Sequence, residues 1–388
     1  MKLTSSGEEQ QFRERVRTWL SENVPKESRP LDGPECLEYD KAWQRAQYQG
    51  GWAGINWPKE FGGCGLSLVE QMTWYEEYAR ANAPSMDSLF VGLSHAGPTL
   101  IAKGTQEQKS RHLHSILAAE QVWCQGFSEP GAGSDLAGIK MRGVVSGDYL
   151  VVNGSKMWTS FAHFADYQEL LVRTDAGSTR HHGMTWAICD MKSQGITIRP
   201  IMSMAGYHQL NQVFYDDVRI PLPNVVGGLG NGWRVAMTTL RFERGTAMLE
   251  AQMQLARKVR ALFDYARETP AADGRPLIKN EHIATTLAIL RAEIAALRSM
   301  AYANVCRIER EGRVGDRHTI VALYYGELVR RISRAAFEMS GSAALELQKT
   351  PDNTTWYYLA NFPRTISGGS SQVRRNIIGE RVLGLPRA

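Results

Sequence analysis

The spacing of apolar residues changes twice along this chain of 388 residues, and that change constrains the fold more than any single motif. Residues 8–22, EEQQFRERVRTWLSE, place Phe12, Val16, Trp19 and Leu20 on one helical face. A Pro- and Gly-bearing loop at 55–68 follows, then LVEQMTWYEEYARA and EQKSRHLHSILAAE repeat the helical period up to residue 120. From 121 to 225 the pattern becomes a series of short β-branched and aromatic runs: DYLVV, YQELLVRT, GMTWAICDM, GITIRPIM and NQVFYDDVRIP. The Asn153-Gly154 pair between two such runs predicts a hairpin turn there, because both residues tolerate positive φ. Helical period then returns: one long helix over roughly 231–268, a break between Pro270 and Pro276, a second long helix, a third over 318–348, and a short fourth near the C-terminus.

The expected class is therefore α+β. A helical N-terminal domain covers 1–120, a middle antiparallel sheet or small β-barrel covers 121–225, and a C-terminal four-helix bundle covers 226–388. Hydrophobic residues make up 43% of the chain, enough for substantial cores. The net charge of +5 is carried by scattered residues, with Arg330-Arg331 and Arg374-Arg375 as pairs rather than tracts, so nucleic-acid binding is not expected and an anionic substrate is compatible. Five cysteines without a CxxC pair argue against a disulfide framework or zinc ribbon. The N-terminal residues lack the apolar core of a secretory signal, and no run approaches the eighteen or so apolar residues of a membrane span. A cytoplasmic location is the expectation, with no membrane partner.

Several chemistries are missing by motif. No GxGxxG joins a strand to a helix, GGLGNG at 227–232 having the wrong spacing, and neither a P-loop nor a GxSxG elbow occurs. His181 and His182 sit in a polar turn without a third ligand, which favours an exposed loop over a metal site.

Three loops and one acid remain. In CQGFSEPGAGSD, residues 124–135, small residues between Ser128 and Ser134 either let a flat or anionic ligand approach the backbone or simply close a tight turn. In KMWTS, Trp158 either stacks on an aromatic cofactor beside Thr159 and Ser160 or belongs to the core. In TISGGSSQVRRN, two glycines lead into a helix whose first amides either bind an oxygen or phosphate or carry an ordinary cap. Glu243, between Phe242 and Arg244, is either a partly buried carboxylate of raised pKa or a surface acid paired along a helix.

Together, FSEPGAGSDLAGIK, GDYLVVNGSKMWTS and SGGSSQVRRNIIGERVLGLP, in this order and at this spacing, resemble the acyl-CoA dehydrogenase family over nearly the whole chain. The resemblance implies the same three-part fold and an FAD cofactor bound between the middle and C-terminal domains and across a subunit contact. It implies a dimer or tetramer, or a heterotetramer with a sister subunit, and an electron-transferring flavoprotein as acceptor. By matching position, Phe127 and Ser128 contact the flavin ring, Ser134 borders the flavin or the coenzyme A moiety, Trp158 flanks the isoalloxazine and Ser160 lies near N5. The family commonly has threonine where Ser128 and Ser160 stand, and serine keeps the hydroxyl.

The implied reaction is α,β-dehydrogenation of an acyl-CoA thioester to the trans-2-enoyl-CoA. Many members carry the base in the loop before the closing motif, where this chain has Gly368. A second group carries it on the long helix before an arginine, which here is Glu243 followed by Arg244. Glu243 and Gly368 are then the catalytic candidates, the latter through its backbone N–H, and Ser134, Arg244, Gly368 and Gly369 are the substrate candidates. A glycine at 368 and a helix-borne base go with a bulky, branched or long acyl group, a polycyclic or steroid side chain included. Two segments depart from the family. TPAADGRPLIKNEHI leaves only Arg275 for the FAD pyrophosphate, and EMSGSAALEL leaves only Gly341 near the adenine end. A flavin oxidase or monooxygenase of the same fold, or a partner subunit of a heteromeric dehydrogenase, stand as alternatives.

Overall fold

The computed structural model describes residues 7–242, 247–312 and 315–386, with side chains left aside at 247–250. Five helices come first: α1 (Gly7–Asn23), α2 (Pro34–Gln49), α3 (Leu68–Arg80), α4 (Gly97–Lys103) and α5 (Gln106–Leu117). Eight strands follow: β1 (Trp123–Gly126), β2 (Arg142–Ser146), β3 (Tyr149–Ser160), β4 (Tyr167–Arg173), β5 (Met184–Asp190), β6 (Ile196–Met202), β7 (His208–Pro221) and β8 (Val225–Val226). The chain closes with α6 (Gly232–Phe242), α7 (Ala247–Glu268), α8 (Glu281–Glu311), α9 (His318–Met339), α10 (Thr354–Ala360) and α11 (Ser371–Ile377). The class is α+β, with helices before and after one middle sheet.

The described chain packs into two compact units. One contains Asn23–Ser67 and Pro84–Glu243, and so holds α2, α4, α5, the sheet and α6. Its eight strands run in the order β6-β7-β3-β2-β4-β5-β8, with β1 added beside β4. Two contacts are parallel, β1 with β4 and the single bridge Arg142–Arg173, so the sheet is not the purely antiparallel one expected. The central strands β4 and β5 are buried along nearly their whole length, β4 with Gln168 and Glu169 inside, whereas the outer strand β6 is half exposed. Trp57, Trp123 and Trp186 join α4 and α5 to one face, and Leu150, Val152, Leu170, Val213 and Ile220 fill a second core. Helix α5 starts at a capping box: Thr105 Oγ1 accepts the Gln108 N–H at 3.2 Å, and Gln108 Oε1 accepts the Thr105 N–H at 3.0 Å.

The hairpin expected at Asn153-Gly154 lies elsewhere. Strand β3 runs straight through those residues, and the turn is Gly147-Asp148, where Gly147 supplies a φ of +58°. Asn153 instead lies opposite a bulge in β7, where Asp216 and Asp217 stand against it. The Asn153 side chain donates to Asp217 Oδ1 and accepts the Asp217 N–H, both at 2.9 Å, which holds Asp217 at a φ of +47°. A tertiary partner thus captured the local turn signal.

The other unit contains Met1–Glu22, Leu68–Ala83 and Arg244–Ala388. Helices α7, α8 and α9 meet along Leu255, Val259, Leu290, Leu297, Leu328 and Ile332, with Leu68 and Met72 of α3 packed against them. The acid Glu77 of α3 is buried and receives Arg13 at 2.7 Å and Arg17 at 2.9 Å from α1. The predicted third helix stops at Met339 rather than 348, because a 3-10 turn begins at Gly341, whose φ is +54°. Helix α10 lies in a stretch that the apolar pattern left unassigned. No described helix is long and apolar enough to cross a membrane.

Candidate active site

The 127–135 loop and the end of β3 form one structure, joined by a buried ion pair. Lys156 is 0% exposed, and its Nζ donates to Glu129 Oε1 at 2.9 Å and to the Phe127 carbonyl at 3.0 Å. Glu129 also accepts the backbone N–H groups of Lys140 at 2.7 Å and Met141 at 3.0 Å. Burial pushes the Lys156 ammonium down to about 8, and the Glu129 carboxylate works in the opposite direction. Glu129 and Ala132 exchange backbone hydrogen bonds at 2.9 and 3.1 Å, and the Met157 N–H donates to the Ser128 carbonyl at 2.9 Å. From the sequence Glu129 is a conspicuous acid but is set aside as the base, and Lys156 carries no expectation. The available signal was phase: Lys156 falls in register with the inward residues Leu150 and Val152, and a buried lysine needs an acid.

The positions around this staple differ in exposure, Phe127 belonging to the core with Trp57 and Trp123. Phe127 is buried, Ser128 and Ser160 are half-buried, and Ser134 is exposed. Trp158 is 54% exposed and adopts a φ of +63°, within the register shift between Lys156 and Thr159. A bulky residue in the left-handed region costs about 1–3 kcal/mol and persists only where the surroundings over-determine it. The reading of Trp158 as a core residue is thereby excluded. Next to it, Thr159 is buried and its hydroxyl has no hydrogen-bond partner among the described residues.

Gly131 and Gly133 add a steric observation. A Cβ built on either meets nothing within 4 Å, and neither has positive φ, so the described residues do not themselves require glycine there. Gly126, the last residue of β1, differs: a Cβ there would lie 2.5 Å from the Gln168 amide. An exposed left-handed aromatic ring, two half-buried hydroxyls, an orphaned buried hydroxyl and clearance above glycine backbone fit a flat group with polar edges.

Gly368, Gly369, Arg275 and Gly341 lie in the other unit. Gly368 and Gly369 have φ of +63° and +97°, and Arg374 donates to the carbonyls of Ser367 and Gly368 at 3.3 Å each and to that of Ala322 at 3.1 Å. Ser370 caps α11 by accepting the Val373 N–H at 3.3 Å, the ordinary cap among the two readings. Arg275 is exposed, and its guanidinium grips its own neighbour Asp273 at 2.9 and 2.7 Å, holding that carboxyl below its usual range. A Cβ on Gly341 meets nothing within 4 Å. Glu243 and Arg244 lie outside the described residues. His181 packs on Trp233 with ring centroids 4.3 Å apart and the rings tilted by 34°, and among the described residues no three His, Cys, Asp or Glu side chains gather to hold a metal.

Models of the acyl-CoA dehydrogenase N-terminal, middle and C-terminal domains match residues 6–120, 124–218 and 230–383. This chain belongs to the acyl-CoA dehydrogenase family and is an oxidoreductase of that flavoprotein class. It is 41% identical over 391 residues to acyl-CoA dehydrogenase IpdE1 of Mycobacterium tuberculosis (strain ATCC 25618 / H37Rv), covering 97% of this chain and 98% of that protein. Among solved structures, the ChsE4-ChsE5 complex from Mycobacterium tuberculosis superposes with a TM-score of 0.84 at 31% identity, covering 100% of both chains. The Tcur3481-Tcur3483 steroid ACAD gives a TM-score of 0.86 at 28% identity, again over 100% of both.

Proposed function

We propose that this chain binds FAD and converts a bulky, branched or long acyl-CoA to its trans-2-enoyl-CoA, with Glu243 removing the α-proton. The observation that carries the reading is the exposed, left-handed Trp158 beside the half-buried Ser128 and Ser160. The division at 1–120, 121–225 and 226–388 goes with it, the middle part supplying the ring-facing residues.

In this reading Phe127 and Trp158 cover the ring, Ser128 meets its pyrimidine edge, and Ser160 lies near N5. FAD, when bound, supplies the acceptor for the β-hydride. An α-proton beside a thioester is weakly acidic, so the enolate oxygen needs donors already in place. The Gly368 N–H is one of them. Its left-handed backbone is braced by Arg374 through the neighbouring carbonyls. Glu243 takes the α-proton, and a carboxylate suits this once a partly apolar site raises its pKa toward neutrality. Arg244 and Gly369 complete the acyl pocket, and Ser134, exposed at the loop tip, meets coenzyme A.

A polycyclic or steroid-derived acyl group is the favoured substrate class, because a glycine at 368 leaves the mouth open and one similar structure is that of a steroid ACAD. The electron acceptor is an electron-transferring flavoprotein, and the setting is cytoplasmic. Arg275 is the candidate for the FAD pyrophosphate and Gly341 for the adenine end. Arg275 is held by Asp273, however, and this favours a second reading in which a sister chain completes half the sites of a heterotetramer rather than a homo-oligomer. Both similar structures are of two-protein complexes.

The test is anaerobic titration of the purified protein with a panel of acyl-CoAs, following flavin bleaching. Glu243→Gln should slow bleaching about 10³-fold with FAD retained. Bleaching of the variant at the parent rate sinks the base assignment. Preference for short straight chains sinks the substrate class. Peroxide formed at the turnover rate without a dye acceptor selects the oxidase.

A further inference from the structure

Trp158 and Phe161 both have left-handed backbone, with φ of +63° and +55°, three residues apart in one short segment. Two such bulky residues do not hold that geometry unaided. What holds it comes from β7. Asn211 lies opposite Thr159 in the ladder and is buried. Its Nδ2 donates to the Thr159 carbonyl at 3.1 Å and to His163 Nδ1 at 3.0 Å, and its Oδ1 accepts from His208 Nε2 at 2.8 Å. The Thr159 carbonyl can only accept, which sets the amide orientation. His163 Nδ1 must then be an unprotonated acceptor. The His163 and His208 rings stack with centroids 4.0 Å apart, and Phe164 packs on His163 at the same distance.

We propose that Asn211, braced by His163 and His208, is a positioning residue that sets Trp158, Thr159 and Ser160 against the cofactor. The proposal rests on the reading that this segment faces a flavin, and its structural half can be tested without one. The groups around His163 are His208 and Asn211 from β7 and Phe161 and Phe164 from the turn after β3. The Asp32 carboxylate lies behind, accepting the His208 backbone N–H at 3.3 Å. Protonating His163 turns the acceptor facing Asn211 into a donor. If Asn211 flips to receive that proton, its oxygen then opposes the Thr159 carbonyl, so the clamp is lost either way.

Burial, reinforced by His208, pushes His163 down to about 4. The unfolded chain therefore takes up the proton first as the pH falls from the ordinary value near 6.5. The contribution is complete above about 6.5 and disappears by about 4.

The experiment compares the parent full-length protein with Asn211→Ala, His163→Phe and His163→Gln. Flavin content of the parent is measured first, because a colourless parent sinks the functional reading, while hydrogen exchange still decides the clamp. In N211A, amides over 157–162 should exchange faster than in the parent, with other regions unchanged. Flavin reduction by acyl-CoA should slow about tenfold to a hundredfold, and the flavin absorption band should shift. H163Q restores an acceptor and should retain more of the rate than H163F, and it should lose the parent's acid limb near pH 4. Parent-like exchange at 157–162 in N211A overturns the clamp. Faster exchange with parent-like flavin reduction, or an acid limb in H163Q identical to the parent's, overturns the positioning role.

Discussion

Two glycine-bearing loops carry the candidate chemistry, and glycine serves opposite purposes in them. In 127–135 the backbone is locked by the buried Lys156–Glu129 pair, and Gly131 and Gly133 have ordinary φ with open space where a Cβ would stand. There glycine is clearance. In 366–374 Gly368 and Gly369 are both left-handed, and the brace is one arginine collecting three carbonyls. There glycine is conformation. The same residue type, met as GAG and SGG, thus leaves open space in one loop and makes a left-handed turn in the other.

The largest break of this comparison is Lys156→Met. Removing the cation strands a nearly buried carboxylate, and the cost should be about 3–5 kcal/mol, measured as a drop in the urea midpoint. A loss below about 1 kcal/mol would show that the first loop is not held by charge. Next is Arg374→Ala, which frees the second loop. About 2 kcal/mol of destabilisation is expected, with faster hydrogen exchange confined to the closing segment. Gly368→Ala should cost about 1 kcal/mol through backbone strain alone, visible in thermal melts. The smallest stability effect belongs to Gly131→Val, expected within about 0.5 kcal/mol of the parent. Its consequence should appear instead as weaker flavin retention on gel filtration. Equal melting penalties for G368A and G131V would erase the distinction between the loops.

Much of the fold was legible in the sequence because helix and strand periods are local. Strands β4, β5, β6 and β7 and helices α1, α3 and α5 were recognisable from runs of a few residues. The hairpin was misplaced because Asn153-Gly154 is a turn signal only when nothing else claims the asparagine, and Asp217, sixty-four residues away, does. Helix α2 lacks a side-chain cap and carries Asp40, Gln44 and Gln47 on its buried face, which hides its period.

The sequence by itself determined the helical, sheet, helical order of its three parts, the membership in a family, and the two motifs that meet at Lys156. Those depend on residue type and spacing, which survive without coordinates. Only the tertiary structure decided that Glu129 is a staple, that Trp158 stands outward on a left-handed backbone, and that Asn211 with two histidines holds it there. These follow from pairing across the sheet. Burial, φ and the direction of a hydrogen bond are set by residues distant in the chain, and no local pattern encodes them.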